Sequence, residues 1–413
     1  MPLAVNSALF FGMALFMLGG GLQATLLGVR ATLEGFSTLV IGAVMAGYYV
    51  GYVAGSVAAP RLVHRVGHIR VFAALAATAA ATILVQSVFV GAWTWGALRV
   101  VSGVCFAGIY VVAESWLNDR ADRHSRGALL ASYMVVIYVG LGAGQLLLNA
   151  ADPRGHVLFM TVGILISLAV VPMALTAQRA PEFALPRRVS LRALLDISPL
   201  GTVGAFFTGT TTATLLSLGP VYAAGRALDT AAVATFMACS ILPAIALQVP
   251  LGRLSDRVDR RNVLIAISIA AAVAAGGALR LQGDASPAFL AAVGVYGGLS
   301  LTIYAVCLAH INDHLRPEQM VAASATVLLV NGAGAVLGPV LVSAAMELFG
   351  PSAFFVSAIV LHTSFALYAA WRIGRAAAVP TPEKAKFVGA PPQVAPTGRL
   401  VAPEAKPEAT PRH

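Results

Sequence analysis

The stretch I-Y-V-V-A-E-S-W-L-N-D (109–119) returns at an offset near 194 as I-Y-A-V-C-L-A-H-I-N-D (303–313). The correspondence spreads outward: Gly140 and Gly144 pair with Gly334 and Gly338, and Arg65 pairs with Arg257 at an offset near 192. A period of about half the chain is a duplicated large unit, not a short solenoid repeat. Each copy is built from predominantly apolar runs of roughly 20 residues, long enough to cross a hydrocarbon core as helices. The expected spans are 5–28, 37–59, 71–91, 95–118, 127–149, 156–177, 199–222, 231–252, 263–282, 287–311, 320–345 and 352–373. These runs are continuously apolar, whereas barrel strands would alternate over roughly 10 residues. The reading is an all-α membrane protein with 12 transmembrane helices in two pseudo-symmetric six-helix bundles. The expected divisions are 1–177 and 199–375 for the bundles, 178–198 for a Pro- and Arg-rich linker, and 376–413 for a Pro/Ala/Lys/Glu tail expected to be disordered.

Composition agrees, because 58% hydrophobic and 11% charged residues would leave a water-soluble domain with too much apolar surface. A net charge of +10 suggests nucleic acid in a soluble protein, but here the basic residues mark topology. They gather on one side of the spans, with Arg30, Arg154, Arg226 and Arg280 the exceptions, which places both termini in the cytoplasm and makes a nucleic-acid partner unnecessary. The first span lacks a basic leader and a cleavage site, so it reads as a retained helix. Cys105, Cys239 and Cys307 all fall within spans as small apolar side chains, and no disulfide, metal or cofactor is expected. With no G-x-x-x-x-G-K-[ST] loop, direct ATP drive is not expected.

Of 17 acidic residues only Glu114 falls inside a span, and Arg99 is the one basic residue in the body of one; both lie on the fourth. Arg99, Gly103, Ala107, Tyr110, Glu114 and Asn118 fall within roughly a 100° arc of that helix, a polar and small stripe suited to a cavity or bundle interior. About 22 Å of rise separates the two charges, so they do separate jobs. Arg99 keeps its charge and suits an anionic group. Glu114 can gain and lose a proton, which makes it the proton-coupling candidate; a static hydrogen bond to a neighbouring helix is the plain alternative. Tyr48 and Tyr52 on the second span, Tyr138, Gln145 and Asn149 on the fifth, Thr210, Thr211 and Thr214 on the seventh, Gln23 on the first and Tyr304 on the tenth are further cavity candidates. Each has an ordinary packing or backbone-bonding alternative. The spaced glycines 47, 51, 55 and 140, 144 suit close helix packing. His310 and His362 suit hydrogen-bonded packing.

G-R-L-S-D-R-V-D-R-R (252–261) resembles the loop pattern G-x-x-x-D-R-x-G-R-R of the major facilitator superfamily, with Asp259 where glycine is usual. Its counterpart P-R-L-V-H-R-V-G-H-I-R (60–70) keeps Arg65 and Gly67 but carries Pro60 and His64 in place of the glycine and the acid. R-V-V-S-G (99–103), A-E-S (113–115), R-G-A-L-L-A-S-Y-M (126–134) and G-A-G-Q-L-L (142–147) resemble the YcaD-like bacterial subgroup, with Gln145 where a proline usually follows glycine. The resemblance covers about residues 5–375. It implies a transporter of the bacterial inner membrane, cavity-lining first, fourth, seventh and tenth helices, and alternating access. It further implies gating roles for Arg65, Gly67, Gly252, Asp256, Arg257 and Arg261, with Asp256 facing the start of the fifth helix near Gly127.

The expected function is secondary active transport of a small organic solute, proton-coupled through Glu114 and outward by family habit, by a monomer among lipids and not by an enzyme. An uncoupled facilitator is the nearest rival. A membrane enzyme built on Glu114 and His310, and a non-transporting receptor or assembly protein, are rivals from other classes.

Overall fold

The computed structural model describes residues 7–120, 126–175, 189–282 and 285–375, with 380, 384 and 387. Most of the expected linker and tail, and the side chain of Asn118, lie outside the described residues. In lipid a backbone must satisfy its own polar groups, and helix is the regular structure found among the described residues. The first six spans are α1 (Ser7–Leu33), α2 (Thr38–Val66), α3 (His68–Val88), α4 (Ala92–Arg120), α5 (Arg126–Leu146) and the consecutive pair α6 (Val157–Leu168) and α7 (Val170–Ala174). The short α8 (Leu191–Ile197) leads into α9 (Pro199–Gly225). There follow α10 (Thr230–Ile241), continued by α11 (Pro243–Arg257) as one span, then α12 (Arg260–Arg280), α13 (Pro287–Asn312), α14 (Pro317–Phe349) and α15 (Ala353–Ile373).

By length and hydropathy alone, 11 of the described spans qualify as membrane crossings. The remaining one, α9, is 27 residues long, but its threonines and glycines lower its hydropathy. Thr208, Thr210 and Thr211 donate to the carbonyls of Ala205, Phe206 and Phe207 at 3.0, 3.1 and 3.2 Å, so the helix satisfies its own hydroxyls. Ser37, Asp229 and Ser286 start α2, α10 and α13 by accepting from the amides of Val40, Ala232 and Phe289. Gly67 alone joins α2 to α3 at φ 93°, a left-handed conformation that glycine adopts without strain, so the turn itself accounts for this residue.

The duplication is visible in the packing. α1 lies on α5 and α2 on α4 in the first half; α9 lies on α14, and α10 and α11 lie on α13, in the second. Glycine sets how closely each pair approaches. A methyl on Gly51 would stand 1.8 Å from the Val100 carbonyl oxygen, one on Gly103 1.9 Å from that of Tyr48, and one on Gly209 1.9 Å from that of Asn331. Backbone thus meets backbone, which gives dispersion contact where lipid removes most of the hydrophobic drive for helices to associate.

Gly51→Ala should lower thermal stability by about 1–3 kcal/mol through overpacking. Gly96→Ala on α4, where the added methyl meets nothing within 4 Å, should be neutral or raise it by up to about 1 kcal/mol. Thermal unfolding of the two purified variants in detergent checks the contrast.

Candidate functional site

The two halves meet where α1 lies along α9, α2 along α14 and α5 along α10. The seam is tightest at the end away from the basic loops. There a methyl on Gly42 of α2 would fall 2.7 Å from the Pro339 carbonyl oxygen of α14, and the Leu39 amide donates to Glu347 Oε2 at 3.3 Å. Gly28 packs on Pro220, and Leu242 fills the space over Gly142. Deeper in, two small cavities of about 40 and 20 Å³ share Tyr48 and Tyr49 as walls. Pockets for organic ligands run to roughly 300 Å³ or more, so neither of these two cavities is large enough to hold one.

Arg99 and Gln23 border the larger cavity, with Phe106, Tyr110, Leu216 and Ser217 among its other walls. Arg99 is 5% exposed; its guanidinium lies 4.5 Å from the Tyr48 ring centroid, and its Nε has no hydrogen-bond partner. Gln23 Nε2, also buried, lacks a partner as well. Two unsatisfied donors beside one cavity call for an acceptor, because a buried polar group left unpaired costs about 1–3 kcal/mol. The rings of Phe16, Tyr48, Tyr52, Phe106 and Tyr110 form a continuous cluster with neighbouring centroids 4.4 to 6.3 Å apart. The Tyr110 hydroxyl donates to Met17 Sδ at 3.1 Å.

Glu114 is 3% exposed, and the hydroxyls of Tyr52, Tyr110, Tyr133 and Tyr304 lie within its electrostatic reach. Tyr304 belongs to α13, so this electrostatic reach extends across the seam to the other half. The expected stripe on α4 therefore faces protein along its described length, with Gly103 and Ala107 packed on α2.

Other expected residues are placed elsewhere. Gln145 is buried between α1 and α5, where it accepts from Thr25 and donates to the Leu141 carbonyl at 3.0 Å. Asn149 is exposed, because α5 tightens into a 3-10 turn at Leu147–Ala150 and the helical sector drawn from Tyr138 no longer holds. Tyr138 is buried with an unpartnered hydroxyl and borders neither cavity. Thr210 and Thr214 pack against the glycines of α14, and Thr211 is bonded to its own helix; the seam threonine is Thr212, whose buried hydroxyl is unpartnered. Sequence reasoning also missed Tyr49, Tyr133, Ser217 and Asn331. Tyr49 follows Tyr48 directly, outside the one-turn spacing that drew notice to Tyr48 and Tyr52.

At the basic end, Arg65 and Arg257 are exposed with no ion pair among the described residues. Arg260 and Arg261 are both buried; Arg260, 1% exposed, is paired with Asp313 at 2.7 Å and Asp256 at 3.1 Å. Asp256 also accepts from the Phe387 amide at 3.0 Å, and the Phe387 ring covers Gly252. These are its described partners, and the side chains at the start of α5 lie outside the described residues. Arg261 chelates Asp259 at 2.7 Å; burial alone would raise that carboxyl, but the Arg261 hydrogen bonds outweigh it and hold the group below its usual range. His310 borders a separate cavity at this end, away from Glu114, while His362 is fully buried against Phe207 and Tyr296.

The sequence model of the Major Facilitator Superfamily matches residues 9–242 and again 201–405. An uncharacterized MFS-type transporter YcaD from Salmonella newport (strain SL254) is 27% identical over 377 residues, 91% of this chain and 96% of the relative. A solved mutant form of the nucleoside transporter NupG has the same fold, with a TM-score of 0.76 at 14% identity, covering 89% of this chain and all of that one. A bacterial homolog of the human lysosomal transporter Spinster, solved inward-facing and unoccupied, gives a TM-score of 0.67 at 15% identity, over 90% and 97% of the two chains.

Gly42→Leu should force α2 from α14 at the closed end of the seam. Electron-electron distance measurements in a cysteine-free background, between spin labels at the exposed Leu33 and Leu348, should then show a longer population absent from the parent.

Proposed function

The chain belongs to the major facilitator superfamily, and on that footing we propose that it carries a small organic solute across the membrane by alternating access, with proton coupling at Glu114. The observation that carries this reading is the placing of both intramembrane charges of α4 at the seam between the halves. Intramembrane charges cost several kcal/mol, and a bundle keeps them where they meet protein or water. Arg99 supplies a permanent cation, and with Gln23 it offers donors without acceptors. The fitting solute therefore has an anionic or carbonyl end for these donors and a flat or apolar body for the aromatic cluster.

Glu114 supports coupling through its surroundings. Tyrosines from α2, α4, α5 and α13 lie within its electrostatic reach, so relative movement of the halves changes the hydroxyls and the water it meets. A carboxyl whose proton affinity differs between two conformations links protonation to the balance of those conformations. With the basic loops in the cytoplasm, the seam as described is closed at the outer face, and both termini lie inside.

A thermal-shift screen of metabolites and antimicrobials against the purified protein should yield a stabilising compound whose effect is lost in Arg99→Ala, since binding to the folded state raises its stability. In proteoliposomes, a pH gradient should drive that compound uphill in the parent. Glu114→Gln should abolish uphill movement while retaining exchange down a solute gradient. Uphill movement undiminished in Glu114→Gln would refute proton coupling at this residue, and stabilisation untouched by Arg99→Ala would move the binding site elsewhere.

A further inference from the structure

The basic end of the second half contains a cavity of about 180 Å³ that the transport reading leaves unused. It lies among the start of α9, the start of α12, the end of α13 and the end of α15. A water's share of the liquid is roughly 30 Å³, so there is room for a tetrahedral anion with some of its hydration.

Its walls are asymmetric in charge. Arg260 and Arg261 are matched by Asp313 and Asp259. Arg372 and Lys384 also border the cavity, and neither has an ion pair among the described residues. Lys384 donates to the Val258 carbonyl at 2.6 Å, while the Arg372 guanidinium meets only the Trp371 ring, 5.8 Å from its centroid. Asp196 also borders the cavity, and Lys384 lies within electrostatic reach of Asp259.

One helix start adds positive potential at this wall, against the C-terminal ends of α13 and α15 that border the same cavity. α9 is 27 residues long and begins at this wall without a side-chain cap. Ser198 stands at the capping position, 1% exposed, with a hydroxyl that has no partner. An uncapped helix start presents amides and the positive end of its dipole to an anion. His314 Nδ1–H donates to the His310 carbonyl at 2.8 Å, so Nε2 of the neutral ring is an acceptor and the ring in that form supplies no donor to an anion. Tyr368 and Trp371, with ring centroids 5.8 Å apart, mark this end of α15 as the depth of the membrane-water boundary.

We propose that this cavity binds a phosphate group, carried by an anionic phospholipid headgroup or by a soluble phosphate. Donors arrive from α9, α15 and the tail, and several directions suit a tetrahedral anion better than a flat carboxylate. Arg372 is the main ligand and Lys384 the second. Occupancy braces the membrane end of one half without touching the seam.

The test is thermal unfolding of the full chain in neutral detergent, titrated with inorganic phosphate or dihexanoyl phosphatidylglycerol. Potassium chloride at matched ionic strength and dihexanoyl phosphatidylcholine are the references. At least one phosphate probe should raise the melting temperature saturably beyond both references. Arg372→Gln should weaken the apparent affinity about tenfold, as expected for loss of a charge-assisted fork, and Lys384→Gln, which changes only a surface side chain, should weaken it less. Arg375→Gln removes the same charge beside the same Trp371 ring, 4.1 Å from its centroid, but outside the cavity, and should leave affinity unchanged. A response to phosphate alone identifies a soluble ligand, a response to the lipid alone identifies a headgroup, and a response to both identifies the shared group. No saturable shift with either probe, or equal weakening by Arg372→Gln and Arg375→Gln, overturns the site.

Discussion

Backbone-to-backbone contact at glycine is the constraint on which the remaining architecture depends. In lipid, helices have little hydrophobic reason to associate, so they must approach closely enough for dispersion and weak polar contacts to hold them. Gly51 on Val100, Gly103 on Tyr48, Gly144 on Leu18 and Gly209 on Asn331 provide that approach in both halves. Because such contacts are short and shape-matched, each half behaves as packed pairs, and the seam between halves is the place where movement disturbs fewest of them.

The same contacts determine where the charges of α4 point. With Gly103 pressed on Tyr48, the side chains on that arc of α4 are carried along α2, and Arg99 comes to lie over the Tyr48 ring. An aromatic face partly offsets the desolvation of a guanidinium, by about 2 kcal/mol where water is excluded. The Nε and the Gln23 amide nevertheless remain unsatisfied. A static bundle gains nothing from that arrangement, whereas a binding site does, because the unmet hydrogen bonds become part of the affinity for an acceptor.

Much of this was legible in the sequence, for reasons that differ by residue. Apolar run length and the half-chain offset disclosed the spans and their duplication because lipid enforces both. Glu114 and Arg99 stood out because intramembrane charge is rare. Helical projection failed where the helix ceased to be regular: the 3-10 turn at Leu147–Ala150 moved Asn149 to the surface. It also failed for threonine, because spacing alone does not separate Thr211, bonded to its own backbone, from Thr212 at the seam. At the basic end the family pattern drew notice to Arg257, which is exposed, and to Arg261, which is buried, but not to the more deeply buried Arg260; its partner Asp313 was already visible as the last letter of the repeated ending L-N-D (117–119) and I-N-D (311–313).

That repeat also exposes a division of labour. At equivalent places the second half has Val293 and Leu308, both buried and apolar, where the first has Arg99 and Glu114. At the membrane end the contrast reverses. Arg260 is clamped by Asp313 in the second half, while its counterpart at an offset of 192, His68, shares a 2.8 Å hydrogen bond with the Ser115 hydroxyl. An arginine-carboxylate pair keeps its charge over the working pH range, whereas a histidine and a buried carboxyl are groups whose charge can change. The duplicated scaffold places its intramembrane charges in the first half and a clamped arginine-carboxylate pair at the membrane end of the second.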